Sequence, residues 1–116
     1  MPRILSISYS DSVLKTRQMM LEQSGLEVKS AKRLEDALAL CARQSFDLMI
    51  VDDSVPLLDK QYICARLKLQ CNAPLLVLLR PSEPPMEYAE YNIEGGDPHA
   101  FVEVVTKIVK RKGTSA

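Results

Sequence analysis

Two unbroken apolar runs, Leu48-Met49-Ile50-Val51 and Leu75-Leu76-Val77-Leu78-Leu79, constrain this chain more than any other feature. Neither alternates with polar residues, so neither suits a strand with one wetted face. Both read as strands buried on two sides, the pattern of a parallel sheet covered by helices above and below. The rest of the chain alternates short apolar runs with longer helical stripes, which predicts an α/β domain wound on both faces of one sheet.

The order of elements follows from the punctuation. Ile4 to Ile7 forms a first strand, and Ser8, Ser10 and Asp11 offer capping oxygens to a helix whose Val13, Leu14, Met20 and Leu21 recur at helical spacing. Gly25 ends that helix. Leu26 to Ala31 alternates as a second strand, and Leu34, Ala37, Leu38 and Cys41 stripe a second helix. Phe46 to Asp52 is the third strand. A third helix from about Asp59 to Gln70 turns Ile63, Leu67 and Tyr62 inward, and Asn72-Ala73-Pro74 leads into the fourth strand. From Arg80 to Glu90 come Pro81, Pro84 and Pro85, each removing a backbone donor and restricting the residue before it, so a fourth helix is short or missing. Tyr91 to Glu94 makes a brief fifth strand and Gly95-Gly96 a turn. Asp97-Pro98 then starts a last helix striped by Phe101, Val102, Val105, Ile108 and Val109. One domain over residues 1–112 is expected, with residues 113–116 as a tail or linker stub.

Bulk properties exclude several function classes. Lys+Arg and Asp+Glu balance at 15 each, which argues against a primary nucleic-acid binder. Leu75 to Leu79 is too short to span a bilayer and Met1-Pro2-Arg3 opens no signal peptide, so the expectation is a cytoplasmic domain without membrane contact. Cys41, Cys64 and Cys71 form neither a C-x-x-C pair nor a zinc set with His99, and are expected as reduced thiols. His99, beside Pro98, reads as part of a surface helix start.

In a doubly wound sheet, ligands bind at the carboxyl ends of the strands where the winding reverses. Asp52 and Asp53 lie at such an end, with Ser8, Tyr9, Ser10 and Asp11 expected beside them at the end of the first strand. Together these segments define one polar basin.

The segment Asp47-Leu48-Met49-Ile50-Val51-Asp52-Asp53-Ser54-Val55-Pro56 resembles the receiver domains of two-component response regulators, whose phosphorylated aspartate ends a strand with proline four residues later. The order of elements resembles that family from Arg3 to Lys112, except for the shortened stretch after Leu79. The resemblance implies a flavodoxin-like, receiver-type fold of five parallel strands in the order 2-1-3-4-5. It implies Asp52 as phosphoacceptor, and a magnesium ion held by Asp52, the carbonyl of Ser54 and, for want of other acids, Asp11.

Four positions depart from the family pattern. Ser8 and Tyr9 stand where the family has a metal-binding pair of acids, Leu79 where it has a phosphate-binding hydroxyl, and Glu94 where it has a lysine. Phosphoryl transfer depends on positioning and on positive charge at the transferred oxygens. An anion in the lysine's place costs on the order of a few kcal/mol at about 4 Å with an effective dielectric near 20. Arg80 is the nearby cation, within reach of Asp52 or Glu94.

The expectation is thus a degenerate, non-enzymatic pseudo-receiver, with magnesium binding weakened and no other cofactor. Its action would run through protein contacts with a histidine kinase, output domain or target protein, and it could pair with a second copy of itself. Two other readings stay open: a working receiver phosphorylated on Asp52 by a histidine kinase, and a small flavodoxin-like nucleotide or flavin binder, although no G-x-G-x-x-G or P-loop is present. Tyr88, Tyr91, Ile93 and the prolines form either an exposed partner-binding patch or a cover for the core.

Overall fold

The computed structural model describes the backbone of residues 1–114 and the side chains of residues 1–110. Five parallel strands, β1 (Arg3–Ile7), β2 (Glu27–Ala31), β3 (Leu48–Val51), β4 (Leu75–Leu79) and β5 (Tyr91–Glu94), form one sheet in the order β2-β1-β3-β4-β5. The helices are α1 (Asp11–Gln23), α2 (Leu34–Arg43), α3 (Leu57–Gln70) and α4 (Pro98–Thr114). The chain passes from β4 to β5 without a helix. The expected end of the domain at residue 112 falls inside α4, while Ser115 and Ala116 of the expected tail lie outside the described residues.

The central strands β3 and β4 are buried along their whole length, as their unbroken apolar sequence requires. Alternate side chains feed two cores. Leu5, Ile7, Met49, Val51, Val77 and Leu79 pack with Ala37 of α2 and with Ile63 and Leu67 of α3. On the opposite face, Ile4, Ile50, Leu76 and Leu78 pack with Leu21 of α1 and with Phe101, Val105 and Val109 of α4. Ser10 caps α1, its hydroxyl accepting from the Val13 amide at 3.3 Å. Gly25 takes φ of 87° just past the end of that helix, where a glycine meets no Cβ penalty.

Two expectations about side chains fail. Tyr62 is 57% exposed rather than inward, because it lies one position before Ile63 on α3 and the helix turns it off the sheet-facing stripe. The cysteines are not all reduced: Cys41 of α2 and Cys71, which caps the end of α3, form a disulfide with Cα atoms 5.7 Å apart. The winding places α2 and α3 side by side, so two cysteines 30 residues apart meet at the amino-terminal end of the sheet. Cys64 stays a free thiol, and burial pushes it up to about 12 against the smaller opposing influence of Lys60, which leaves it inert at neutral pH.

The stretch between β4 and β5 is an irregular segment tied down by polar contacts. Lys60 of α3, fully buried, donates to the Leu78 carbonyl at 3.1 Å and pairs with the carboxylate of Glu83. Glu90 accepts from the Leu75 amide at 2.8 Å and from Lys68 at 2.7 Å. The Met86 amide donates to Asn92 at 2.8 Å, and the Met86 side chain, 4% exposed, plugs the α2/α3 core. Of the two roles open to the aromatic residues here, Tyr88 stays exposed at 54%, Ile93 packs on the α1/α4 core, and covering falls to Met86 and Ala89.

Removing one partner of a buried ion pair strands the other charge in the core. Glu83→Ala is expected to cost about 3–5 kcal/mol in urea unfolding, with Lys60→Met/Glu83→Ala recovering much of that loss. Closing a loop of this length with a disulfide adds about 3–4 kcal/mol in the chain-entropy account. The unfolding midpoint should therefore fall when reductant is added to wild type and stay unchanged in Cys41→Ser/Cys71→Ser.

Candidate functional site

Asp52 follows the last residue of β3, its amide donating to the Ile7 carbonyl at 3.0 Å, so the backbone pins the aspartate beside the end of β1. The residue is 1% exposed. A buried carboxylate needs compensation on both oxygens, and Asp52 has it. Its Oδ2 accepts from Ser8 Oγ at 2.9 Å, from the Ser54 amide at 3.1 Å and from the Ser54 hydroxyl. Its Oδ1 is paired with the guanidinium of Arg17. Ser8, itself 1% exposed, also accepts from the Ser10 amide at 3.1 Å, which fixes the turn into α1.

Arg17 stands two turns into α1 with a side chain 17% exposed. One nitrogen meets Asp52 and the other lies 3.7 Å from Asp53 Oδ1, so one planar group bridges two carboxylates. Its outer face covers the ring of Phe101 on α4, with the guanidinium carbon 5.0 Å from the ring centroid. Beside it a cavity of about 260 Å³ opens between α1 and the start of α4, bordered by Thr16, Asp53, Gly95 and Phe101. A Cβ on Gly95 would come within 2.5 Å of Asp53 Oδ2, so only glycine leaves that carboxylate its place.

Arg80, at the end of β4, does not reach toward Asp52 or Glu94. It donates to the carbonyls of Asp53 at 2.7 Å and Ser54 at 3.0 Å. Arg17, not Arg80, is the cation of this site. The sequence did carry a sign of it, because Arg17 sits between Leu14 and Leu21 in the apolar stripe of α1, where a cation needs an internal partner.

The other expected site residues scatter. Asp11 is the first residue of α1 and pairs with Lys32 at 3.3 Å on the surface, away from the Asp52 ligands, because the cap at Ser10 already commits it to the helix. Tyr9 turns outward and donates to Asp59 at 3.0 Å. Leu79 is 6% exposed and belongs to the α2/α3 core. Glu94, opposite Leu79 in the sheet register, is exposed at the end of β5. Ser10 serves as helix cap and His99 is exposed on the first turn of α4.

Among the relatives of known function, 78 residues are 30% identical to the transcriptional regulatory protein AfsQ1 of Streptomyces coelicolor, covering 67% of this chain and 35% of that protein. The chain thus spans about a third of the length of that relative. No family profile matches. The receiver domain of the Francisella response regulator 1452 superposes with a TM-score of 0.81 at 18% identity, covering 97% of this chain and 99% of that one. The response regulator TrrA of Thermotoga maritima, solved with magnesium and beryllium fluoride, gives 0.79 at 20% identity over 93% of this chain and 99% of its own. TrrA has also been solved in complex with the histidine kinase ThkA. The chain has the receiver fold.

A magnesium ion in a receiver fold needs carboxylates and a carbonyl free to face it, with waters completing an octahedron. Here those atoms are engaged. Asp52 Oδ1 and Asp53 face Arg17, and the Ser54 carbonyl accepts from Arg80. Asp11 points to Lys32, and among the described residues no three His, Cys, Asp or Glu side chains form a metal-holding group. The residues do not fit the ion as they stand.

Burial alone would raise Asp52. Hydrogen bonds from Ser54, the hydrogen bond with Asp53, the charge of Arg17 and the hydrogen bond from Ser8 outweigh it and bring Asp52 from the ordinary 3.8 to about 2. Asp53 moves the other way, raised by burial and by its hydrogen bond to, and the charge of, Asp52. The pocket therefore holds Asp52 ionised. A depressed carboxylate stabilises the fold above its ordinary range and loses that contribution as the pH falls through the folded value. The stability difference between wild type and Asp52→Asn, followed by urea unfolding, should shrink by about 2 kcal/mol between neutral pH and pH of about 2.

Proposed function

We propose that this chain is a receiver-like domain of a two-component signalling system that works through protein–protein contact, without the usual phosphorylation switch. The observation that carries the reading is the sealing of Asp52: 1% exposed, with Oδ2 held by Ser8 and Ser54 and Oδ1 held by Arg17. A phosphoryl donor must reach a carboxylate oxygen in line, and the developing charge then needs donors free to receive it. In this pocket the donors are already spent on the carboxylate. Leu79 adds to the argument, since a buried aliphatic side chain offers the product no hydroxyl.

A signalling partner is supported by the likeness to TrrA, which has been solved with a histidine kinase. The partner here would be such a kinase, an output domain or a target protein, met in the cytoplasm, and the domain itself would catalyse nothing. Balanced charge over the chain favours protein over nucleic acid as partner. Among the described residues no helix is long and apolar enough to cross a membrane. The cavity beside Arg17, about 260 Å³, is smaller than the roughly 300–1,000 Å³ of pockets that bury cofactor-sized ligands, which disfavours a flavin or nucleotide at that site.

The competing reading, phosphorylation of Asp52 by a histidine kinase, draws on the ionised state of that carboxylate. Titration with magnesium and beryllium fluoride, or acetyl phosphate, separates the two. The amide resonances of Asp52, Leu79 and Glu94 are expected to stay in place. Saturable shifts in wild type that vanish in Asp52→Ala would establish the working receiver instead.

A further inference from the structure

The most unusual group in the molecule is the Arg17 guanidinium, which lies between Asp52 and Asp53 on one side and Phe101 on the other. Two carboxylates that converge on one point attract a cation, and the hard divalent ions satisfy that demand with one or two carboxylates and water. Here a side chain of the protein satisfies it. We propose that Arg17 is the resident cation of the acid pocket, occupying the position a divalent metal would need and making the site metal-independent.

The geometry supports displacement of a metal rather than coexistence with one. The guanidinium bridges Asp52 and Asp53, so an ion between them would have to meet a positive charge at contact distance. Arg80 closes the other approach, its guanidinium donating to the carbonyls of Asp53 and Ser54, so that the Ser54 carbonyl already faces a cation. Gly95 leaves room for the Asp53 carboxylate to keep its place within reach of the guanidinium.

Arg17 also differs from a diffusible ion in what it connects. A metal would leave the pocket when its concentration fell, whereas Arg17 is covalently part of α1 and stacks on α4 through Phe101. The acid pocket is therefore linked through Arg17 to the helix that follows β5. The inference rests on the reading of this pocket as a receiver-type acid site, and it assigns the means by which that site is held in a single state.

The test uses manganese and magnesium on the full chain. In wild type, manganese is expected to leave the amide resonances of Ser8, Asp52, Asp53 and Ser54 unbroadened in the low millimolar range. Arg17→Met keeps an aliphatic stem of similar length and removes the charge. It is expected to bind manganese more than about tenfold more tightly, because a unit charge no longer opposes the ion, with broadening at those four amides and competition by magnesium. Arg17→Met/Asp52→Asn should lose the response, and Arg17→Lys, which keeps the charge, should stay as blind to metal as wild type. Near-ultraviolet circular dichroism of each variant establishes that it is folded.

Broadening in wild type equal to that in Arg17→Met would overturn the proposal, and so would a folded Arg17→Met that ignores both ions. The latter leaves the protein-contact reading intact if beryllium fluoride and acetyl phosphate also leave wild type unchanged. Phosphorylation of wild type by acetyl phosphate without metal would instead sink the protein-contact reading and leave Arg17 as the resident cation.

Discussion

Asp52 is a buried negative charge just past the end of the central strand β3, and much of the local structure neutralises it. Ser8 comes from the end of β1, Ser54 from the loop after β3 and Arg17 from α1, so the carboxylate gathers three separate segments around itself. Phe101 adds α4 through its stack on the guanidinium. A buried ion pair of this kind gains little net stability over an apolar substitute, because desolvation consumes most of the attraction. What the contacts do is tie separate segments together: the turn after β1, the β3–α3 loop and α1 each place a donor on the same carboxylate.

A second buried pair does comparable work on the opposite face. Lys60 and Glu83 bring the segment that replaces a helix down against β4, and Glu90 and Asn92 fasten its far end. Without a helix, this segment has few apolar residues to bury, since the prolines at 81, 84 and 85 lie exposed and only Met86, with Ala89 packed beside it, covers the core. Directional polar contacts stand in for an amphipathic stripe. The surface offered beside β5 is accordingly irregular, with Tyr88 and Tyr91 outward, and differs from the smooth helical face that another doubly wound sheet would present there.

The strands and helices could be read from the chain because their signals are local. Leu48 to Val51 and Leu75 to Leu79 lack polar alternation, Ser10 and Asp97 sit where caps belong, and three prolines forbid a helix between Arg80 and Glu90. Asp52, with Asp53 and Ser8 beside it, was legible as the site because the ends of parallel strands at a winding reversal form a cleft in any such fold. Tyr62 was misplaced since one residue on a helix is a turn of about 100°, enough to move a side chain from core to solvent.

The sequence by itself determined the sheet, its burial and the position of one carboxylate at its edge, because period, capping and chain direction follow from neighbours along the chain. Only the tertiary structure decided which charges meet. Arg17 and Asp52 are 35 residues apart, Lys60 and Glu83 are 23 apart, and Cys41 meets Cys71 across 30. Long side chains from different elements choose partners by distance and dielectric, and both are set by the packing of helices on the sheet. Asp11 and Arg80, nearer to the site by sequence argument, were drawn instead to Lys32 and to two backbone carbonyls. Asp52 therefore lies where the pattern of strands puts it, while its closure by Arg17 comes from the way α1 packs against β1 and β2.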